Sequence, residues 1–298
     1  MYNLFIKELD NLNIDYTQNS SMKDHTTFKI GGCADFFITV NNTNELKAVI
    51  SLCREQNVPY MIIGNGSNLL VNDDGIKGVV IRLDGDFKAI TVQGDTITAG
   101  AGASLTKLCL DAHRASLSGI EFGYGIPGSV GGAAYMNAGA YGGEMKDIVV
   151  SCTHLDSDLN VGTFSGSQLD FYYRHSVYTD CGFIILSVTV KLAPADPATI
   201  KAKMDLFMQK RLDKQPLDLP SAGSVFKRPE GAFAAALIDQ CGLKGKSVGG
   251  AEVSEKHAGF IVNKGGATCQ DVLDLVKIIQ DAVKEKTGFD LHREIIHI

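Results

Sequence analysis

Two loops in this 298-residue chain join bare backbone to short polar side chains directly after apolar strands. The first is Gly64-Asn65-Gly66-Ser67-Asn68, entered from Met61-Ile62-Ile63 and left through Leu69-Leu70-Val71. Glycine lets main chain approach an anion closely, and successive N–H groups in such a turn can nest a phosphate without any cationic side chain. A tight strand-to-strand turn would use the same residues. The second loop, GIPGSVGGAAYMNAGAYGGE, spans 125–144, and eight glycines fall in the 21 residues 123–143. Glycines forfeit side-chain burial and cost backbone entropy, a loss that a ligand in contact with main chain would offset. Three single residues stand apart from the loops. Arg174 follows the aromatic run Phe171-Tyr172-Tyr173, as a surface guanidinium stacked on a ring would. Ser224 follows Gly223 in Ser221-Ala222-Gly223-Ser224-Val225-Phe226-Lys227, the usual setting of a turn serine. Glu294 lies between Arg293 and Ile295, where a strand-face charge would sit.

Familiar nucleotide and metal signatures are missing or malformed. Gly123-Tyr124-Gly125-Ile126-Pro127-Gly128 satisfies GxGxxG on paper, but Pro127 and the continuing glycines do not suit the opening of a dinucleotide-binding helix. Gly245-Lys246-Ser247 resembles the end of a phosphate loop, yet Gln240 stands where its first glycine belongs. There is no HExxH, no GxSxG and no helical pair of metal ligands, so no metal is expected.

The elements that must position these residues alternate in the first third. Leu46, Val49, Ile50 and Cys53 keep helical spacing between Thr43, a candidate N-cap, and Val58-Pro59. Apolar runs at 36–40, 61–63 and 79–83 read as strands, giving a small βαβ-type unit. AITVQGDTITAGAG reads as a hairpin turning at Gln93-Gly94-Asp95, followed by a helix near 104–114. Strands return at 148–153 and 183–192. Pro194 and Pro197 mark a boundary, after which Thr199 is expected to cap a helix burying Ile200, Met204, Phe207 and Met208. Further on come a helix near 233–241, a strand at 259–262, and an amphipathic helix opened by Thr268 with Asp271 and closed by Gly288. LHREIIHI reads as a last strand. Two domains are expected, 1–195 and 196–298, the first divisible near residue 85.

Composition narrows the function classes. The net charge of −6 argues against a general nucleic-acid or acidic-membrane binder, so an anionic ligand must be held by local groups. Seven cysteines without a CxxC pair suit reduced thiols in the cytoplasm. Glu8 and Asp10 interrupt any leader-like start, and no apolar run approaches the ~20 residues of a membrane span. Glycine, 32 residues or about 11%, exceeds the roughly 7% average.

Taken in order, His25-Thr26-Thr27-Phe28-Lys29-Ile30-Gly31-Gly32, GNGSNLLV, GIPGSVGGAAYMNAGAYG, FYYRHS, GSVFKRP and the C-terminal Glu294 resemble the UDP-N-acetylenolpyruvoylglucosamine reductase family, in its shorter type without an extra tyrosine-bearing loop. The resemblance implies an α+β fold: a two-part FAD-binding region of the vanillyl-alcohol oxidase type, followed by a C-terminal α+β substrate-binding domain. It implies that Asn65, Gly66, Ser67 and Asn68, with Ser129, Gly131, Gly132 and Asn137, contact FAD. Lys214 aligns approximately with a lysine near substrate or cofactor phosphates, and His257 falls near a substrate-binding position.

The activity so implied is NADPH-driven, FAD-dependent reduction of an enolpyruvyl UDP-sugar in peptidoglycan precursor synthesis. The chemistry then assigns three roles. Arg174 suits a bidentate grip on the substrate carboxylate. Protonated Glu294 would donate a hydrogen bond to charge developing there. Ser224 would give its proton to C2. An oxidase of the same broad flavoprotein class would be favoured by a histidine linked covalently to flavin, and neither GNGSN nor GIPGSVGG contains one. A non-catalytic nucleotide-sugar sensor would be favoured by loss of Arg174, Ser224 or Glu294, and all three are present.

Overall fold

The computed structural model describes residues 2–298, which form two compact units. The first takes residues up to Thr17, then Phe36–Asn65 and Gly78–Gln209. Its helix Thr43–Glu55 buries Leu46, Val49, Ile50 and Cys53, the stripe expected from their spacing. The cap is Asn42 rather than Thr43: Asn42 Oδ1 accepts the Glu45 N–H at 3.0 Å, and Thr43 is the first helical residue. This helix joins the strand Cys33–Val40 to Tyr60–Ile63, which pairs in parallel with Ile76–Leu83. An antiparallel sheet follows, in the order Val161–Ser165, Val149–Leu155, Ile184–Lys191, Thr96–Gly100, Ile90–Gln93. Its hairpin turns at Gly94-Asp95, where Gly94 takes φ +60°.

One continuous core runs through this unit, with Ile50 and Ile81 in the same cluster as Leu108, Val188 and Met204. That continuity removes the expected division near residue 85. It also moves the expected boundary at 195/196. The helix Pro197–Lys214 sends Ile200, Met204 and Phe207 into this core, so the first unit extends to Gln209. The two prolines mark the entry to a helix and not the edge of a domain. Asp196, rather than Thr199, caps that helix, its carboxylate accepting from Thr199 N–H at 2.9 Å.

The second unit gathers Gln18–Asp35, Gly66–Lys77 and Lys210–Ile298. Phe28, Ile30 and Leu70 bury themselves with Val225, Val272, Val276 and Ile279, which is why two early segments belong with the C-terminal third. The helix Cys269–Thr287 opens on the Thr268/Asp271 capping box and closes at Gly288, φ +78°. A small antiparallel sheet, Ser247–Val248, Ala251–Val253 and Ile261–Asn263, packs with it. The chain ends with Ile296–His297 running parallel to Leu69–Leu70. Among the described residues no helix is long and apolar enough to cross a membrane.

Candidate active site

The division between the units falls inside the first glycine loop, between Asn65 and Gly66. On the first-unit side, Asn65 Nδ2 donates to the Pro127 carbonyl at 2.9 Å. A Cβ added to Gly64 would lie 2.2 Å from Ser129 Oγ. The two glycine loops, 62 residues apart at this hydrogen bond, therefore meet here. On the second-unit side, Gly66 takes φ +62°, and a Cβ there would lie 2.2 Å from the His25 carbonyl oxygen. Among the described residues, no backbone N–H of Asn65, Gly66, Ser67 or Asn68 has a protein acceptor. Within the second unit, Gly66, Ser67 and Asn68 thus carry three consecutive open donors, an arrangement able to nest an anion.

The second loop is built differently from the expectation. Its glycines do not clear space for a ligand so much as for the protein itself. A Cβ on Gly131 would lie 2.7 Å from Ala101 Cβ, one on Gly139 2.7 Å from Glu144 Cβ, and one on Gly143 2.6 Å from the Phe122 ring. The short helix Val130–Tyr135 also spends its leading donors internally. Val130 N–H goes to Ala103 O at 2.8 Å, Gly131 N–H to Ala101 O at 2.9 Å, and Gly132 N–H to Ser129 Oγ at 3.2 Å. Close packing thus accounts for much of the glycine density. Gly131 and Gly132, expected at the cofactor, have no N–H to offer it; Ser129 keeps its hydroxyl proton.

Asn137, also expected at the cofactor, is fully buried with φ +45°. Its Nδ2 donates at 2.8 Å to both Glu144 Oε2 and the Tyr172 carbonyl, and its Oδ1 accepts Lys146 N–H at 2.9 Å. Its amide is committed to protein. What it holds is the turn carrying Arg174. Tyr172 and His175 exchange backbone bonds at 3.3 and 3.2 Å, and between them Arg174 takes φ +56°. A non-glycine residue in that region costs roughly 1–2 kcal/mol. His175 buttresses the turn with Nε2 2.9 Å from Asp180 and its ring 3.7 Å from that of Tyr172. Arg174 lies with its guanidinium 5.2 Å from the Tyr173 ring, and Nη2 reaches Gly139 O at 3.5 Å. This explains the aromatic run before the arginine.

Ser224 and Glu294 come together in the second unit. Glu294 N–H donates to the Val225 carbonyl at 2.8 Å, so the acid sits opposite the residue next to Ser224. Phe226 bridges Arg293, and Ser224 bridges Phe260. Asn68 reaches the same place: its Nδ2 donates to the Glu294 carbonyl at 3.1 Å. Lys214 lies exposed at the end of its helix. Burial pushes the His257 imidazole below its ordinary range, against a backbone hydrogen bond and with smaller help from the charges of Lys244 and Lys214. Residues 25–30 have a structural task beside the Ser224 turn. Thr27 Oγ1 donates to Ser221 O at 2.7 Å, and Asn263 Nδ2 donates to Phe28 O at 3.2 Å, fixing the turn before Ser224.

Comparison with known proteins bears on both units. Residues 34–162 match the profile of an FAD binding domain, and residues 215–298 that of the C-terminal domain of UDP-N-acetylenolpyruvoylglucosamine reductase. The UDP-N-acetylenolpyruvoylglucosamine reductase of Clostridium botulinum (strain Okra / Type B1) is 50% identical, with 99% of this chain and 96% of the relative covered. The chain belongs to the UDP-N-acetylenolpyruvoylglucosamine reductase family. The Clostridium novyi reductase is 47% identical over 93% of this chain and 90% of its own. A solved reductase from Thermus caldophilus has a TM-score of 0.81 and 38% identity, covering 95% of this chain and 98% of that one. The reductase fold is accordingly α+β, an FAD-binding region followed by the family's C-terminal domain. That C-terminal match starts at residue 215, beyond the helix the first unit retains. The FAD-binding match contains both glycine loops, and the C-terminal match contains Ser224 and Glu294.

Proposed function

We infer that this protein catalyses the FAD-dependent, NADPH-driven reduction of the enolpyruvyl group of UDP-N-acetylglucosamine enolpyruvate to UDP-N-acetylmuramate, a step of peptidoglycan precursor synthesis. The observation that carries the reading is identity of 50% along 99% of the chain to a reductase of that name, with Arg174, Ser224 and Glu294 all present. FAD, when bound, carries hydride from NADPH to the substrate. The open N–H groups of 66–68 support placing its pyrophosphate on that loop. We assign the flavin chiefly to the first unit and the loop 64–68, and the UDP-sugar to 210–298.

The chain's own residues then have distinct tasks. Hydride arrival at the vinyl C3 drives negative charge toward the substrate carboxylate, which needs preorganised partners. Arg174 offers a planar fork, held in place by a turn whose backbone it would not choose alone. Glu294, as the acid, donates to the same charge, and Ser224 Oγ delivers a proton to C2. We assign Lys214 to the phosphates of substrate or cofactor. None of the seven cysteines is in a disulfide, which supports a cytoplasmic setting.

Anaerobic addition of NADPH should bleach the flavin of the holoenzyme, and the enolpyruvyl substrate should then restore its colour. A protein that binds no flavin, or a bleached flavin that the substrate leaves colourless, would overturn the reading. Ser224→Ala should slow recolouring by on the order of 10²-fold while sparing bleaching. Equal loss in both would remove Ser224 as proton donor.

A further inference from the structure

We propose that Asn68 is a positioning residue that couples the flavin loop to Glu294. The inference rests on the reading of Glu294 as the acid and goes beyond it. Glu294 is suspended by its own peptide groups. Its N–H is held by the Val225 carbonyl at 2.8 Å, beside Ser224, and its carbonyl receives Asn68 Nδ2 at 3.1 Å. The Asn68 carbonyl in turn accepts Ile296 N–H at 2.9 Å. These two bonds start the parallel pairing of Leu69–Leu70 with Ile296–His297, which Ile298 N–H to Leu70 O at 3.0 Å and Asn72 N–H to Ile298 O at 2.7 Å continue.

The geometry makes Asn68 the joint between two structures. Its own N–H belongs to the row of open donors at 66–68, while its side chain and carbonyl grip the main chain on both sides of Ile295. An anion drawing in the N–H groups of 66–68 therefore acts on the same residue that orients the acid. A main-chain grip also explains why the partner is an amide. A carbonyl acceptor needs a donor, and asparagine supplies one on a short, two-torsion side chain; aspartate has the shape but no donor.

Two measurements test this. In the wild-type protein, adding FAD to the flavin-free form should slow amide exchange across residues 294–298; FAD that binds and leaves their exchange unchanged would overturn the coupling. In the holoenzyme, Asn68→Asp should slow substrate reduction about ten-fold to a hundred-fold more than flavin reduction by NADPH. It should also shift the acid limb of the pH profile for substrate reduction, and add little to Glu294→Gln in the double variant. Equal losses in both half-reactions, or losses that add to those of Glu294→Gln, would make Asn68 a cofactor contact only. Glu294→Gln with undiminished substrate reduction would overturn the acid reading itself; that is distinct from a slow Glu294→Gln beside an unaffected Asn68→Asp. Should Asn68→Asp not fold, the exchange experiment on the wild-type chain still decides.

Discussion

Asn137 Nδ2 donates to the carbonyl of Tyr172 at 2.8 Å and so ties the glycine-rich loop to the turn that carries Arg174. The amide itself is fully buried, although Tyr172 and Lys146 are exposed residues that meet it through their backbone groups. Removing it in Asn137→Ala leaves the Tyr172 carbonyl and the Lys146 N–H without their partner. A stranded group that stays shielded from water costs about 1–3 kcal/mol. The variant should unfold several degrees lower in a thermal melt, by roughly 2–4 °C per kcal/mol for a chain of this class. Because the Arg174 turn loses its tether, substrate reduction should fall more than flavin reduction. A variant with wild-type melting would show that Asn137 is not the tether the contacts make it.

Arg174 itself separates stability from function. At φ +56° it holds a conformation open to glycine and costly for any L side chain. Arg174→Gly and Arg174→Ala both lose the guanidinium, but only alanine keeps the strain. Glycine should therefore melt higher than alanine, by a difference of about 1 kcal/mol. Both should lose carboxylate binding equally, seen as a matched loss in kcat/KM for the enolpyruvyl substrate. Equal melting of the two variants would show the turn relaxes around alanine.

The elements were legible wherever the signal was local. The helix Cys269–Thr287 could be read from Thr268, Asp271, Gly288 and its apolar stripe, because each end is decided within one turn of chain. The hairpin at Gly94 is equally local. What could not be read were the tertiary commitments. Pro194 and Pro197 announce a helix but do not say which core Ile200 and Met204 join. Phe28 and Leu70 give no sign of meeting Val276, some 200 residues on. The site shows the same limit. Arg174, Ser224 and Glu294 stood out because their types suit the chemistry. Asn137 and Asn68 carry a further duty that the sequence does not show, since nothing in a linear sequence reveals an amide spent on a carbonyl 35 or 226 residues away.

Gly66 and Gly132 should respond differently to the same added methyl. At Gly66 a Cβ would lie 2.2 Å from the His25 carbonyl oxygen, with φ +62°. Backbone cannot yield as a side chain can, so Gly66→Ala should disturb the loop of open N–H groups and lose flavin. At Gly132 the nearest atom is Ser129 Oγ at 3.2 Å, a side chain able to rotate. Gly132→Ala should retain most of its flavin. The flavin-to-protein absorbance ratio after gel filtration measures both. Similar ratios would place the cofactor's anchor outside the 66–68 loop.

Acid should weaken the first unit through His154. This residue is 3% exposed, with Nδ1 3.0 Å from the Tyr178 hydroxyl and its ring among Phe164 and Phe183. Its cross-strand partner is Gly162, where a Cβ would lie 2.7 Å from Nε2, so the strand leaves room for the imidazole only by omitting a side chain. Burial holds the imidazole below its ordinary pKa, outweighing the opposing effects of Asp156 and the Cys152 backbone. The folded state thus prefers the neutral ring, while the unfolded chain takes up a proton near pH 6.5. Between the two values the unfolded state binds more protons, so stability is full above about pH 6.5 and is lost as pH falls through the folded value. His154→Phe keeps the aromatic contacts and removes the titration. Melting temperatures across pH 7.5 to 5 should fall less steeply for the variant than for the wild type. Parallel curves would mean that the acid sensitivity of the first unit lies elsewhere.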